Sequence, residues 1–197
     1  MGGSRMPSWK VEESEMKTYQ KNYIIYQKGD IFDLTGSVVS MNDIAPSIII
    51  PHVCNNVDVF SSGFAMSVSK RYPIVKENFH MLGKKAVLGN VQNIIAIENK
   101  KYNRKLIISN MIAQNGLISK SNRRPLNYGA LCYCMYAVKS LIEQTKRNID
   151  HQEIEIHAPK FGCGLSGGDW KIIEALITDI WLPCCNVFIY MPSLLKK

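Results

Sequence analysis

Apolar residues along the chain alternate between strand-like and helix-like spacing. The run Ser47–Val53 is continuously apolar, which is typical of a strand covered on both faces. Between residues 131 and 142, apolar residues instead recur every three or four positions, and Asn127 precedes them at the position of a cap. The pattern therefore predicts a buried strand early in the chain and a long amphipathic helix that begins after Asn127.

The same pattern predicts the remaining elements. Strands are predicted over Asn22–Gln27, Glu153–Ala158 and Asn186–Met191, and a hairpin is predicted to join Gly89–Glu98 to Lys105–Ala113. Helices are predicted over Phe64–Tyr72, over Pro73–Leu82 and in the segment after Asp169, which caps it. Repeated strand–helix units with an inserted hairpin indicate an α/β fold, in which a mixed central sheet lies between two helical layers.

Chain length and hydropathy fit one domain. We expect that domain to cover residues 21–197, after an N-terminal extension over residues 1–20 whose Gly-Gly-Ser start resembles a cloning remnant. No apolar run is long enough to cross a membrane, and the N-terminus lacks the apolar segment of a secretory signal. These features predict a cytoplasmic protein without a membrane partner.

Six cysteines raise the question of a metal site. Without a secretory signal we expect them to be reduced thiols. The spacings Cys-x-Cys and Cys-Cys are not the usual zinc-ligand spacings, and no paired histidines accompany them. Buried, small apolar side chains are therefore the favoured interpretation, and neither a metal nor a cofactor is expected. These cysteines are Cys54, Cys132, Cys134, Cys163, Cys184 and Cys185.

The formal net charge of +8 bears on possible ligands. A basic surface raises the local concentration of anions, whether nucleotides or nucleic acid. A solvated surface that maintains solubility is an equally good explanation of the charge alone.

Two loops carry the strongest sequence signal for binding. The first, CNNVDVFSSGFA, follows the strand Ser47–Val53, and the second, PKFGCGLSGGDW, follows the strand Glu153–Ala158. Each leads into a helix, where backbone N–H groups without helical acceptors can hold a phosphate. Glycine-rich turns of this kind are common and many bind nothing. Two of them at one sheet edge, however, predict that they bind a diphosphate together.

These segments resemble the macrodomain family. The segment APKFGCGLSGGDW is similar to the second substrate loop of macrodomains, PHVCNNVDVFSSGFA to the first, and YQKGDIFDL to their first strand and turn. The resemblance covers almost the whole chain after residue 21 and implies a three-layer α/β/α macrodomain fold that binds ADP-ribose. It is closest to the yeast-type ADP-ribose 1''-phosphate phosphatases and to related viral and bacterial proteins, which share the His-x-Cys-Asn sequence found here at His52–Asn55.

The resemblance also implies roles for individual residues. Asp30 would accept a hydrogen bond from the adenine amino group, beside the backbone of Ile31. Asn55 would contact the distal ribose, and Tyr190 would lie near the adenine or its ribose. An ordinary turn aspartate, a loop-stabilising asparagine and a core aromatic are the alternatives for these three side chains. The remaining contacts implied are Ser62, Gly63, Phe64, Gly162, Cys163, Gly164, Leu165, Ser166 and Gly167.

Two features of the first loop depart from the family pattern. Ser61 and Ser62 stand where the family usually has glycines, so their side chains could narrow the groove or donate hydrogen bonds to phosphate. Asp58 places a negative charge beside a loop that is expected to hold an anion.

His52 is the candidate for chemistry, together with Asn55 at the reacting end. An imidazole there could act as a general base on water or as a proton donor to the departing ribose oxygen, and a structural histidine bonded to backbone is the alternative. A second macrodomain branch uses a lysine and an aspartate, but Ser166 occupies the aspartate position here and Ile108–Met111 contains no lysine. Asn110 and Gln114 either line the distal ribose or stabilise a strand end.

The leading functional hypothesis is hydrolysis of ADP-ribose 1''-phosphate to ADP-ribose and phosphate by a monomer. The alternatives are a non-catalytic reader of ADP-ribose or ADP-ribosylated targets and a de-ADP-ribosylating hydrolase. Nucleic-acid binding through the basic surface is possible but comes last, because the sequence has no motif for stacking single strands.

Overall fold

The computed structural model describes residues 22–33, 46–148 and 153–191, and the predicted N-terminal extension lies outside them. Six strands are described: β1 (Ile24–Lys28), β2 (Ser47–Asn55), β3 (Val91–Asn99), β4 (Arg104–Gln114), β5 (Ile154–Pro159) and β6 (Val187–Met191). Four α-helices are described: α1 (Gly63–Arg71), α2 (Pro73–Leu82), α3 (Tyr128–Asn148) and α4 (Trp170–Ile180). Every predicted element that falls in the described residues is present, with ends displaced by at most two positions.

The strands form one sheet in the order β1-β6-β5-β2-β4-β3. Neighbouring strands run parallel except β3 and β4, which form the predicted antiparallel hairpin. The predicted mixed sheet is therefore confirmed. Because five of the strands run in one direction, their carboxyl ends meet along one edge, and the loops that follow β1, β2 and β5 leave from that edge.

Two hydrophobic cores lie on opposite faces of this sheet. Helices α3 and α4 pack over one face, and helices α1 and α2 pack over the other. The alternation of β2 shows the arrangement, since Ile49 belongs to the first core whereas Ile48 and Ile50 belong to the second. The three-layer α/β/α architecture predicted from the sequence is confirmed.

Local sequence signals account for the helix ends. The Oδ1 atom of Asn127 accepts a hydrogen bond from the N–H of Ala130 at 2.9 Å, which caps α3 as predicted. The Oδ1 atom of Asp169 accepts from the N–H of Lys171 at 2.9 Å and caps α4. Helix α1 ends at Arg71 because Tyr72 precedes Pro73 and the residue before a proline avoids helical geometry.

Strand β2 extends beyond the prediction in a way that affects the site. It continues past Val53 to Asn55, and its pairing with β4 is irregular between Cys54 and Asn55. Cys54 and Asn55 are thus held by the sheet and not by a free loop. Within the described ranges, no helix combines the length and hydropathy needed to cross a bilayer.

Candidate functional site

Two adjoining cavities open at the carboxyl edge of the sheet. One measures about 440 Å³ and is lined by His52 and Asn55, and the other measures about 530 Å³ and is lined by Asp30 and Tyr190. The two cavities share the start of α1 and the start of the loop after β5, at Gly63, Phe64, Pro159 and Lys160. We treat the two as one groove and call the place where they meet, at these shared residues, its narrow point. We call the first the His52 cavity and the second the Asp30 cavity.

Helix α1 begins at the narrow point of the groove. Gly63 has φ +56, a conformation that an L side chain rarely adopts, and a Cβ there would meet only Leu165 Cδ1, at 3.9 Å. Ser62 is the N-cap residue, but its side chain makes no capping hydrogen bond. The N–H groups of the first turn have no acceptor within the helix, so this helix start faces the groove with free donors and the positive end of its dipole. Ser61 and Ser62 also line the His52 cavity.

Asp58 does not bring its negative charge into the groove. Its side chain pairs with His80 of α2, with 2.6 Å between Oδ1 and Nδ1, and it is not among the residues that line either cavity. Asp58 itself has φ +59. The pair anchors the outer part of the first loop to α2 and directs the carboxylate away from the anion-binding region that the sequence indicated.

The loop after β5 is folded by its glycines. Gly162 and Gly167 have φ values of +75 and +67. The N–H of Gly168 donates to the carbonyl of Gly162 at 2.8 Å, and the N–H of Gly167 donates to that of Gly164 at 3.0 Å. The residues that this turn presents to the His52 cavity are Gly162, Gly164, Leu165 and Ser166.

Two residues predicted for the second loop lie outside the two cavities. Cys163 and Gly167, both predicted to contact the ligand, are not among the residues that line the cavities. Gly167 packs instead against the backbone of residue Arg123, with 2.7 Å between an added Cβ and that carbonyl oxygen. Helix α4 was expected to offer its N-terminus to a phosphate, but the carboxylate of Asp169 caps that helix start and α4 does not line the groove. Among the described residues that line the groove, α1 alone contributes a helix start, and the second loop contributes a turn.

Gln114 ties the second loop to the end of β4. The Oγ of Ser166 donates to Oε1 of Gln114 at 2.6 Å, and Nε2 of Gln114 donates to the carbonyl of Gly116 at 2.9 Å. The carbonyl of Ser166 accepts from the N–H of Leu126 at 3.0 Å. Ser166 and Gln114 are both buried and both line the His52 cavity, so they hold its wall in place.

The side chain of Asn55 shapes its own loop. Its Oδ1 accepts from the N–H groups of Val57 and Val59, at 3.1 Å each, and its Nδ2 donates to the carbonyl of Val59 at 2.6 Å. Asn55 is 7% exposed and lines the His52 cavity. The loop-stabilising role considered for this residue is therefore present, and one Nδ2 hydrogen remains for a ligand.

His52 is a buried residue in the wall of its cavity. It is 2% exposed, its ring lies edge-on to Phe60 and Phe64, and its Nε2 is 2.7 Å from Oδ1 of Asn110. Burial lowers the pKa of His52 to about 4, against a weaker opposing effect of the hydrogen bond with Asn110. The ring is neutral at neutral pH, so an imidazolium acting as proton donor to a leaving group does not fit this environment.

Cys54, beside His52, is not an activated nucleophile. Its Sγ is 3.7 Å from Nδ1 of His52, and burial raises the pKa of the Cys54 thiol well above its usual range. The thiol therefore remains protonated beside a neutral imidazole. Among the described residues, no group of three histidine, cysteine, aspartate or glutamate side chains could hold a metal ion.

The Asp30 cavity brings together the residues predicted for adenine. Asp30 is exposed, and its Oδ1 accepts from the N–H of Phe32 at 2.9 Å, which leaves Oδ2 for a ligand. Ile31 is buried in the wall. Phe32, which sequence reasoning missed although it follows Ile31 directly, stacks on Phe64 with 5.5 Å between ring centroids. Together the two rings form an apolar wall suited to a planar base.

Tyr190 lines the same cavity from the end of β6 and is 5% exposed. Its hydroxyl lies 3.0 Å from Nδ1 of His157, whose Nε2 is 2.9 Å from Oε2 of Glu155. Burial, and secondarily the charge of Glu155, raises the pKa of Tyr190 to about 12. Tyr190 is thus both a core residue and a neutral part of the cavity wall. The two interpretations considered for it, a core aromatic and a residue beside the ligand, are compatible.

Lys160 is a second residue that sequence reasoning missed. Among the described residues that line the two cavities it is the single lysine or arginine, and it lines both. Its Nζ lies 5.2 Å from the ring centroid of Trp170 and 6.0 Å from that of Tyr26. The signal in the sequence was a lone basic residue directly after the strand that leads into the glycine-rich loop.

Comparisons with known proteins find similarity at the level of structure. Protein-family models and curated protein sequences give no match. A Bacteroides thetaiotaomicron protein of unknown function superposes with a TM-score of 0.70 and 26% identity, over 87% of this chain and 99% of that one. A macrodomain protein from Streptomyces coelicolor superposes with a TM-score of 0.62 and 25% identity, over 87% and 100% of the two chains.

A third solved structure, DarTG from Thermosipho africanus in complex with ADP-ribose, shares the fold. Its TM-score is 0.57 at 17% identity, over 91% of this chain and 46% of the DarTG chain. The Streptomyces protein is matched over its full length. The chain therefore has the macrodomain fold.

Proposed function

We propose that this macrodomain binds ADP-ribose along the groove. Adenine occupies the Asp30 cavity, where Oδ2 of Asp30 accepts a hydrogen bond from its amino group. The diphosphate lies at the narrow point, between the start of α1 and the glycine turn after β5. The distal ribose enters the His52 cavity. Support comes from the shared fold with DarTG, which was solved with ADP-ribose.

One observation carries this proposal. The two cavities meet at Gly63 and Phe64 on one side and at Pro159 and Lys160 on the other. That point is where free N–H groups of a helix start and the single lining cation come together, an arrangement that suits a bridging anion. ADP-ribose has the matching order of groups, because its diphosphate joins adenosine to a second ribose.

Calorimetric titration with ADP-ribose, ADP, AMP and ATP tests the proposal. ADP-ribose is expected to bind most tightly, ADP more weakly because it leaves the His52 cavity empty, and AMP most weakly because it cannot bridge the narrow point. ATP places a third phosphate where the distal ribose is expected and should bind no better than ADP. Equal affinity for AMP and ADP-ribose, or binding of none of the four, contradicts the assignment.

For the reaction, we propose slow hydrolysis of ADP-ribose 1''-phosphate in the His52 cavity. Water attacks phosphorus, the bond between phosphorus and the C1'' oxygen breaks, and one proton of the attacking water passes to the released ADP-ribose oxygen. Phosphoryl transfer depends mainly on positioning and charge stabilisation, which buried walls and backbone donors supply. His52 with a pKa of about 4 is a weak base, which is the reason to expect slow turnover.

Binding without turnover is the second candidate, and the engagement of Asn55 with its own loop favours it. Phosphate release is measured for the wild type and for His52→Gln, whose amide can replace the hydrogen bond to Asn110. Turnover that disappears in the variant while ADP-ribose affinity persists supports the phosphatase. Absence of turnover in a wild type that binds ADP-ribose supports the reader instead.

A further inference from the structure

A row of polar side chains crosses the sheet beside the proposed site. His52 on β2, Asn110 on β4 and Gln92 on β3 occupy paired register positions on three neighbouring strands. His52 and Asn110 are 2% and 0% exposed, within the apolar core under α1 and α2. Buried polar groups are costly unless they are hydrogen-bonded, so each group in this row is expected to have a partner. Donors and acceptors can then be assigned one after another, starting at one end of the row.

The backbone of α2 sets that direction. Nε2 of Gln92 lies 2.8 Å from the carbonyl oxygen of Asn78, and because a carbonyl can only accept, Gln92 must present its NH₂ group there. Oε1 of Gln92 then faces Nδ2 of Asn110 at 3.1 Å and accepts from it. Oδ1 of Asn110 is left as an acceptor for Nε2 of His52, at 2.7 Å.

We infer that Asn110, held in orientation by Gln92, is a positioning residue that fixes His52 as the Nε2–H tautomer, so that Nδ1 is an acceptor for a hydroxyl of the distal ribose. The neighbour of Nδ1 is the Cys54 thiol at 3.7 Å, a weak donor, and Cys54 and His52 both line the His52 cavity. The ribose part of this inference rests on the proposed function. The tautomer part rests on the hydrogen-bond row alone.

The depressed pKa of His52 agrees with this assignment. A neutral ring carries one N–H and one lone pair, and the row determines which nitrogen carries which. A ring fixed in this way distinguishes a hydroxyl, which can donate to Nδ1, from a phosphate oxygen, which cannot. The row therefore favours a sugar over an anion beside His52.

Long-range ¹H–¹⁵N correlation spectra of the His52 ring test the tautomer without any ligand. The wild type is expected to show a protonated Nε2 and an unprotonated Nδ1 between pH 6 and 8. Asn110→Leu is expected to give averaged signals from both tautomers. Gln92→Met, at a half-buried position on an edge strand, is the second variant in case Asn110→Leu fails to fold. It is expected to weaken the preference of His52 for the Nε2–H tautomer. Ser109→Ala is the matched control, because it removes the 2.6 Å hydrogen bond to Asn93 one residue away on the opposite face.

A wild type with its proton on Nδ1, or an unchanged tautomer in folded Asn110→Leu and Gln92→Met, overturns the inference. The ribose contact is tested by the ratio of ADP-ribose to ADP affinity, which should fall by about threefold to tenfold in Gln92→Met and not in Ser109→Ala. An unchanged ratio removes the ribose contact. If neither nucleotide binds the wild type, the proposed function fails, while the ring signals still decide the tautomer.

Discussion

Gly168 is the position where the second loop should tolerate a side chain least. A Cβ added there would lie 2.7 Å from the carbonyl oxygen of Gly162 and 2.4 Å from Cδ2 of Leu126. The leucine end can rotate away. The carbonyl cannot, because it accepts the 2.8 Å hydrogen bond from the N–H of Gly168 itself. Gly168→Ala must therefore open the turn that faces the His52 cavity.

The expected cost follows from overpacking at a backbone atom. Such changes destabilise by about 1–3 kcal/mol, which for a chain of this length corresponds to a fall in Tm of roughly 2–12 °C. Opening the turn also displaces the Gly162–Ser166 backbone from the narrow point of the groove. ADP-ribose affinity should then fall by about tenfold or more, the effect of losing one hydrogen bond to a charged phosphate.

Gly164→Ala is the matched control in the same turn. A Cβ at Gly164 meets no heavy atom within 4 Å, so its Tm should stay within about 1 °C of the wild type. Tm is measured by differential scanning calorimetry and affinity by isothermal titration. Wild-type stability and affinity in Gly168→Ala, or equal losses of stability in both variants, would falsify the steric argument.

Three further predictions concern charged groups around the groove. Asp30→Asn should weaken ADP-ribose binding by about threefold to tenfold through loss of a charge-assisted hydrogen bond to adenine, whereas Asp33→Asn, outside the Asp30 cavity, should not; equal effects in a titration refute the adenine contact. Because the pKa of His52 falls from its usual 6.5 to about 4 on folding, the unfolded chain binds the extra proton, so stability is complete above pH 6.5 and declines as pH falls towards 4. Through His52, the wild type should lose about 2 kcal/mol of unfolding free energy between pH 7.5 and pH 5, as measured by urea unfolding. His52→Gln should lack this loss. An equal pH dependence in both proteins would show that the ring is solvated. Asp58→Asn should leave ADP-ribose affinity within about twofold, since the Asp58 carboxylate pairs with His80 away from the groove; markedly tighter binding in a titration would show that the charge does oppose the diphosphate.

The elements and the location of the site could be predicted from sequence because their signals are local. Periodicity located the strands and helices, Asn127 and Asp169 marked two helix starts, and Pro73 marked a helix end. The parallel strands then placed both glycine-containing loops at one edge. None of these steps needed knowledge of which side chains meet across the fold.

The partners of the site residues could not be predicted, because they depend on register. His52 meets Asn110, 58 positions away, only because β2 and β4 pair in that register. Asn55 reaches its own loop because β2 continues to that residue. Asp58 was expected to oppose an anion, and only the packing of α2 brings His80 to it. In each case the sequence pointed to the residue, but its role depends on a hydrogen-bond partner that the sequence did not reveal.

For the start of α4, the sequence alone could have shown that it is poorly suited to bind a phosphate. Asp169 was recognised as a cap for α4, and its carboxylate accepts from the N–H of Lys171, one of the donors that a phosphate would need. Ser62 holds the same position on α1 and leaves those donors unused. The two loops are therefore not equivalent: one contributes a helix dipole, and the other contributes a turn.

The groove does not owe its proposed anion binding to the overall positive charge of the chain. The net charge is +8, yet Lys160 is the one lysine or arginine among the described residues that line the groove. The diphosphate binding proposed here thus relies on the helix start at Gly63 and on the turn Gly162–Ser166, both of which line the groove. Surface lysines act at long range and are screened by salt, whereas amides at contact distance act only on an anion that fits between them. If the proposed function holds, selectivity for a diphosphate comes from the geometry of the narrow point, and the surface charge affects how fast an anion arrives.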